Sequence, residues 1–350
     1  MSRWRPGPPA GLRDGASLLR ILVTGAAGFI GAAAAQALLE RGDAVVGLDN
    51  LNDYYDVRLK RDRLARLAGR AGFEFLHADI ADREAMSRLG ESQRFDAILH
   101  LAAQAGVRHS VSHPFAYLDA NLLGFGHVLE LARRCATGHL VFASSSSVYG
   151  ANARLPFSEG DNVDHPVSLY AATKKANELM AHAYAWIHGL RCTGLRFFTV
   201  YGPWGRPDMS PFIFARSILR GETIRLFNAG EMERDFTYID DVVGSVLGVI
   251  DLPPGPGTTA DLESPARSSA PYRILNVGNS VPIPLREYLA IYERILGRRA
   301  VLDLAPMQPG DVVATAADTA ALEALTGTRP ATPIEEGVRR FLDWYRSYYP

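Results

Sequence analysis

The chain has 350 residues and a formal charge of -1 from 37 basic and 38 acidic side chains, so no net field draws nucleic acid or an anionic membrane surface. With 47% hydrophobic residues it can bury a large core, enough for about two domains or one elaborated α/β domain. The two cysteines, Cys135 and Cys192, lack metal-ligand spacing, which argues against a disulfide scaffold or structural zinc and fits a reducing cytoplasm.

In chain order, residues 1–17 are rich in Arg, Pro and Gly without the apolar run of a secretory signal, and a flexible extension is expected over residues 1–19. No later apolar run is long enough for a membrane-spanning helix. From Arg20 short apolar runs alternate with amphipathic ones, the βα rhythm of a parallel sheet covered by helices. Strands are expected at 20–24, 44–49, 73–79, 95–102 and 139–145, with a sixth in RCTGLRFF. The intervening helices include FIGAAAAQALLERG, PFAYLDANLLGFGHVLELARR and LYAATKKANELMAHAYAWIHG. Beyond residue 200 the rhythm breaks up into PFIFARSILRG, IRLF, ILNVG, PLREYLAIYERILG and EEGVRRFLDWYRSYY. The expected fold class is α/β: a Rossmann-type doubly wound parallel sheet over 20–200, and a smaller mixed α/β substrate domain that takes up most of 201–350. Residues 230–250 are expected to pack back on the first domain, and 253–271 to form a loop insertion.

Between the first strand and helix lies TGAAGFIG, with Gly25, Gly28 and Gly31 spaced for a tight turn and close backbone approach. Phe29 and Ile30 complete a turn on which a pyrophosphate can sit at the helix amino end. The next strand ends in Asp49, followed by Asn50. A carboxylate there binds both ribose hydroxyls of NAD and repels the extra phosphate of NADP. In SLYAATKKANE, Tyr170 and Lys174 share a helix face one turn apart, and an ammonium beside a phenol lowers the phenol's pKa. The run Ser144 to Ser147 puts hydroxyls at a strand's carboxyl end, the edge where open α/β sheets bind ligands. Ser145, Ser146 and Ser147 there suit a substrate with hydroxyls of its own.

TGAAGFIG, ASSSSVYG and YAATK together resemble the extended short-chain dehydrogenase/reductase superfamily of nucleotide-sugar enzymes. The resemblance implies that Tyr170 is the acid/base, Lys174 holds the nicotinamide ribose, and Ser145 assists at the sugar hydroxyl. Asp79 and Ile80 would flank the adenine, while Leu101, Ala102, Ala103 and Gln104 line the cofactor groove. DNLNDYYDVRLKRDRL, QAGVRHSVSHPFAYLDANLLG, RFFTVYGPWGRPDM and ERDFTYIDDVV resemble UDP-glucuronate 4-epimerases in particular. These interconvert UDP-glucuronate and UDP-galacturonate through a 4-keto intermediate with tightly held NAD. By that resemblance Thr199 and Arg206 face the sugar, Arg234 and Asp311 hold the uridine diphosphate, Arg108 helps at the sugar or phosphate, and the enzyme is a homodimer. Some relatives carry threonine at the position of Ser145. A bidentate guanidinium can hold a substrate carboxylate away from decarboxylation geometry, and Arg206 is the residue assigned to it.

Two neighbouring chemistries remain open, a 4-epimerase for UDP-glucose or UDP-N-acetylglucosamine and UDP-glucuronate decarboxylase. The decarboxylases carry glutamate directly before VYG, where this chain has Ser147. A dinucleotide sensor without catalysis would not need Tyr170 and Lys174. His100, His109 and His113 read as structural, Cys192 as a small buried hydrophobe, and Asp240 with Asp241 as a helix amino-terminal cap.

Overall fold

The computed structural model describes residues 18–308 and 310–349. The expected extension lies outside the described residues up to residue 17, and by Leu19 the chain is tied down, its N–H donating to the Asp43 carboxylate at 3.0 Å. The strands are β1 (Arg20–Thr24), β2 (Ala44–Asp49), β3 (Phe73–His77), β4 (Ala97–His100), β5 (His139–Ser145), β6 (Cys192–Phe197), β7 (Thr199–Tyr201), β8 (Thr223–Phe227), β9 (Glu233–Tyr238), β10 (Tyr272–Val277), β11 (Pro282–Pro284) and β12 (Val301–Ala305).

Seven of them form one parallel sheet in the order β3-β2-β1-β4-β5-β6-β10. Its inner strands are buried on both faces, so they read as continuous apolar runs. Strand order reverses between β1 and β4, which opens a crevice beyond their carboxyl ends where a ligand can enter. Helix Phe29–Arg41 returns from β1 and stops at Gly42, whose φ of 103° suits a residue without Cβ.

The seventh strand corrects the expected division of the chain. ILNVG was expected in the smaller unit, yet Tyr272–Val277 pairs with β6 along its whole length. The apolar run is the mark of a strand buried on both faces, and helix Ile239–Ile250, packed on helix Phe29–Arg41, carries the chain back to the main sheet. The expected insertion is likewise only partly loose. Its end folds over the outer edge of β10, where Ile274 N–H donates to the Ala266 carbonyl at 2.8 Å and Ala266, Ser268 and Ala270 are buried. An open sheet edge is thereby covered.

The remaining strands make a three-stranded sheet, β11-β9-β7, and a pair, β12-β8, over the carboxyl ends of the main sheet's later strands. Asp240 and Asp241 do not cap the helix that follows β9. They lie inside its first turn, and the Asp241 carboxylate accepts from the N–H groups of Ala331 and Thr332 at 3.3 and 2.9 Å.

Candidate active site

Between the main sheet and the smaller sheets lies a cavity of about 900 Å³, and every site residue inferred from sequence lines it. At one end is the glycine turn. Gly25 has a φ of 75°, and a Cβ on it would stand 2.7 Å from the backbone nitrogen of Ala102. A Cβ on Gly31 would stand 2.0 Å from the Gly25 carbonyl, so the turn and the helix start can close only without side chains. Helix Phe29–Arg41 begins with no side-chain cap and no acidic residue in its first turn. Its first N–H groups have no partners within the helix, as at any helix amino end. Asp49, ending β2, accepts from the N–H groups of Ala27 and Leu51 at 3.0 and 2.8 Å, which fixes its carboxylate beside the turn. Asn50 donates to Asp79 at 2.8 Å, joining the ends of β2 and β3 next to Ile80. A glycine cradle and a free helix amino end that can donate to a pyrophosphate, with a fixed carboxylate that can accept from ribose hydroxyls, suit an NAD dinucleotide.

Leu101 to Gln104 continue from β4 along the same groove. Asn121, which the sequence reading missed, holds this segment: its amide accepts from Gln104 N–H at 2.8 Å and donates to Thr173 at 3.0 Å. It sits in a π-helical turn, Leu118–Gly124, and such turns often mark functional sites. Helix Leu169–His188, capped by Ser168, presents Tyr170 and Lys174 to the cavity. Burial raises the pKa of the Tyr170 phenol above its ordinary value, while the neighbouring Ser145 hydroxyl and the charge of Arg206 pull the other way. Lys174, expected from its spacing to supply that pull, instead donates to the carbonyl of Ala143 in β5 at 2.9 Å. Burial lowers its own pKa to about 8.

The four serines differ in their surroundings. Ser144 donates to the buried carboxylate of Glu178 at 2.6 Å, and Glu178 is gripped by both arms of Arg196 at 2.9 Å, so Ser144 belongs to the frame. Ser145 caps a short 3₁₀ turn, accepts from Ser147 N–H at 3.2 Å and donates to the Ser147 hydroxyl at 3.1 Å. Ser145, Ser146 and Ser147 all border the cavity.

Thr199 opens β7 at the cavity wall, and the loop after β7 carries Arg206. Arg206 donates from Nε and Nη2 to the two oxygens of Asp208 at 3.1 and 2.5 Å, and Asp208 also accepts from the Tyr54 hydroxyl at 3.1 Å. At the far end Arg108 and Asp311 form an ion pair at 2.8 Å, with Arg234 beside them bonded to the carbonyls of Glu233 and Val313 at 2.8 and 3.1 Å. His100 is buried and bonded to Thr24 Oγ1 at 2.8 Å, and burial pushes its pKa down to about 3, so it is a neutral link between β4 and β1. His109 departs from a purely structural reading, since it borders the cavity and its ring lies 4.7 Å from that of Tyr54. Cys192 is fully buried at the start of β6.

A family model described as the NAD dependent epimerase/dehydratase family matches residues 21–257. The chain belongs to this family. Among similar proteins in the family, a probable UDP-glucuronate 4-epimerase of Rhizobium meliloti is 47% identical over 334 residues, covering 95% of this chain and 98% of the relative. UDP-glucuronate 4-epimerase 2 of Arabidopsis thaliana is 46% identical over 346 residues, 96% of this chain and 77% of that protein. Among solved structures, UDP-glucuronic acid 4-epimerase from Bacillus cereus with UDP-glucuronic acid and NAD superposes with a TM-score of 0.84 at 30% identity, covering 94% of this chain and 100% of that one. As a family member the chain uses NAD, for which the glycine turn and Asp49 are suited.

Proposed function

We propose that this enzyme is a 4-epimerase that interconverts UDP-glucuronate and UDP-galacturonate with NAD retained between turnovers. The relatives' names and the cavity's chemistry support this together. The single observation that carries the uronic acid reading is Arg206, a guanidinium bordering the same cavity as Tyr170 and Ser145.

Bound NAD supplies a reversible acceptor for the hydrogen on sugar carbon 4. The protein's part is proton handling and grip. Tyr170 takes the proton of the 4-hydroxyl and later returns it, with Ser145 bridging phenol and sugar hydroxyl. Lys174 tethers the cofactor's ribose. Arg234 offers its charge to the diphosphate. Asp311, an anion, suits hydroxyl or amide donors of the uridine rather than phosphate, and its pairing with Arg108 keeps it oriented. Grip concentrated at this end leaves the hexose free to turn over so that its other face meets the cofactor. Once carbon 4 is a ketone, the carboxylate on carbon 5 belongs to a β-keto acid. Arg206 and Thr199 hold it near the carbonyl plane, where the bond to carbon dioxide cannot align with the π system. Ser147, in place of the glutamate of decarboxylases, agrees with that outcome.

The enzyme is further proposed to work in the cytoplasm as a homodimer. Val111, Phe115, Leu179, Trp186 and Ile187 leave apolar surface exposed on neighbouring helices, which supports pairing there. Among the described residues no helix is long and apolar enough to cross a membrane.

Purified protein should convert UDP-glucuronate to an isomer of equal mass without added cofactor, read by chromatography with mass analysis. A product lighter by one carbon dioxide overturns the reading, and turnover of UDP-glucose but not UDP-glucuronate replaces it with a neutral-sugar epimerase.

A further inference from the structure

Past Asp49 and Asn50, the segment LNDYYDVRLKRDRL has no role in the chemistry above, yet it reaches the loop that carries Arg206. Tyr54 crosses to that loop and donates its hydroxyl to Asp208 Oδ2 at 3.1 Å. Asp208 in turn accepts from Nε and Nη2 of Arg206 at 3.1 and 2.5 Å, so one complete edge of the guanidinium is committed to the protein. Nη1 has no hydrogen-bond partner among the described residues. A guanidinium has a second two-nitrogen edge, and a substrate carboxylate can take that one while Asp208 keeps the first.

Three features make this arrangement rigid. Pro207 separates the pair and fixes one of the backbone angles between them. The carbonyls of Trp204 and Gly205, just before Arg206, are held by Arg63 at 2.6 and 2.8 Å. The Tyr54 hydroxyl lies so close to Gly106, at a φ of 103°, that a Cβ there would come within 2.6 Å of it. Burial, reinforced by Asp208, pushes the Tyr54 phenol up to about 12, so it remains a donor at working pH. Burial would raise the carboxyl of Asp208, but the Arg206 charge more than offsets it and holds the group ionised.

We propose that Asp208, oriented by Tyr54, is the positioning residue that aims Arg206 and thereby sets the partition between epimerisation and decarboxylation. The inference rests on the UDP-glucuronate reading above. Decarboxylation of the 4-keto sugar breaks the bond from carbon 5 to the carboxylate carbon. The electron pair enters the carbonyl to give an enolate, carbon dioxide leaves, and a proton then restores the ketone. Asp208 opposes this in two ways. It fixes the plane of the guanidinium, and so the plane of the carboxylate bound to its other edge. It also neutralises a cation that would otherwise stabilise the negative charge growing on the enolate oxygen.

The test measures both products from UDP-glucuronate with NAD-loaded enzyme, and the fraction decarboxylated is the decisive readout, because it does not depend on how much enzyme is folded. Asp208→Asn should lower kcat for the epimer by about tenfold or more, in keeping with the cost of misplacing a group at a reacting centre. It should also raise the decarboxylated fraction, with a smaller change in KM. Asp208→Glu, which keeps the carboxylate, should restore most of the wild-type partition. Tyr54→Phe, which removes one oxygen atom, should shift the partition the same way by a smaller factor, and it decides the matter should Asp208→Asn not fold. Arg206→Ala is the reference. If Arg206→Ala leaks carbon dioxide while Asp208→Asn and Tyr54→Phe keep the wild-type partition, the positioning role is overturned and the carboxylate reading of Arg206 stands. If Arg206→Ala itself epimerises cleanly at the wild-type rate, the reading of Arg206 falls and this inference falls with it.

Discussion

Lys174 brings a charge into a place where it meets only a carbonyl. Its side chain is 2% exposed, its hydrogen bond goes to Ala143, and burial alone accounts for a pKa lowered to about 8. Below about pH 8 the residue is protonated in both folded and unfolded chains, and the folded state bears the cost of the buried ammonium. From about pH 8 to 10 the folded protein has released the proton while the unfolded chain, near 10.4, still holds it, so this group makes stability rise with pH. Lys174→Met has no such contribution. Its stability relative to wild type should therefore be highest near neutrality and decline by about 2–3 kcal/mol by pH 10, an order-of-magnitude figure from roughly two pKa units. Urea unfolding of both proteins at the two pH values measures it. Parallel behaviour would mean that Lys174 stays charged in the folded protein.

At the scale of elements, the turn from β1 into helix Phe29–Arg41 depends on absent side chains. Gly25→Ala adds a Cβ at a φ of 75° and 2.7 Å from a backbone nitrogen that has no room to withdraw. Gly221 provides the comparison: it has a φ of 67° at a helix end, with nothing within 4 Å of an added Cβ. Both substitutions cost the backbone strain of about 1–2 kcal/mol expected for a left-handed residue, but only Gly25→Ala should also lose the bound dinucleotide. The absorbance ratio at 260 and 280 nm after gel filtration, with melting curves, separates the two effects. Equal NAD retention would refute the argument from close approach. This element was legible in the sequence because a strand, a tight turn and a helix start are local, and their glycines are spaced by local geometry. Asp49 and the pair Tyr170 and Lys174 were legible for the same reason. Pairings between distant segments were not: β10 joins β6 across 80 residues, and Tyr54 meets Asp208 across 154. The role of Asp208 is not legible in the loop GPWGRPDM, because nothing local tells a carboxylate that will turn back on Arg206 from a solvated one.

The glycine turn and the loop that carries Arg206 are far apart in sequence, and one side chain joins them. Arg63 is 0% exposed and has no carboxylate partner among the described residues. Nη1 donates to the Ala27 carbonyl of the glycine turn at 3.0 Å and to the Tyr55 hydroxyl at 2.6 Å. Nε and Nη2 donate to Trp204 at 3.0 and 2.6 Å, and Nη2 reaches Gly205 at 2.8 Å. A planar fork can meet carbonyls on two sides at once, whereas a single ammonium cannot span them. Arg63→Met should leave the Ala27, Trp204 and Gly205 carbonyls without this donor, at about 1–3 kcal/mol for each one left unsatisfied. The functional consequence should be joint: weaker retention of NAD and weaker binding of the UDP-sugar, each measurable by calorimetry. Arg63→Lys should recover only part of either. Loss of one affinity with the other at its wild-type value would show that the two sites are built independently, and that Arg63 supports only the one it affects.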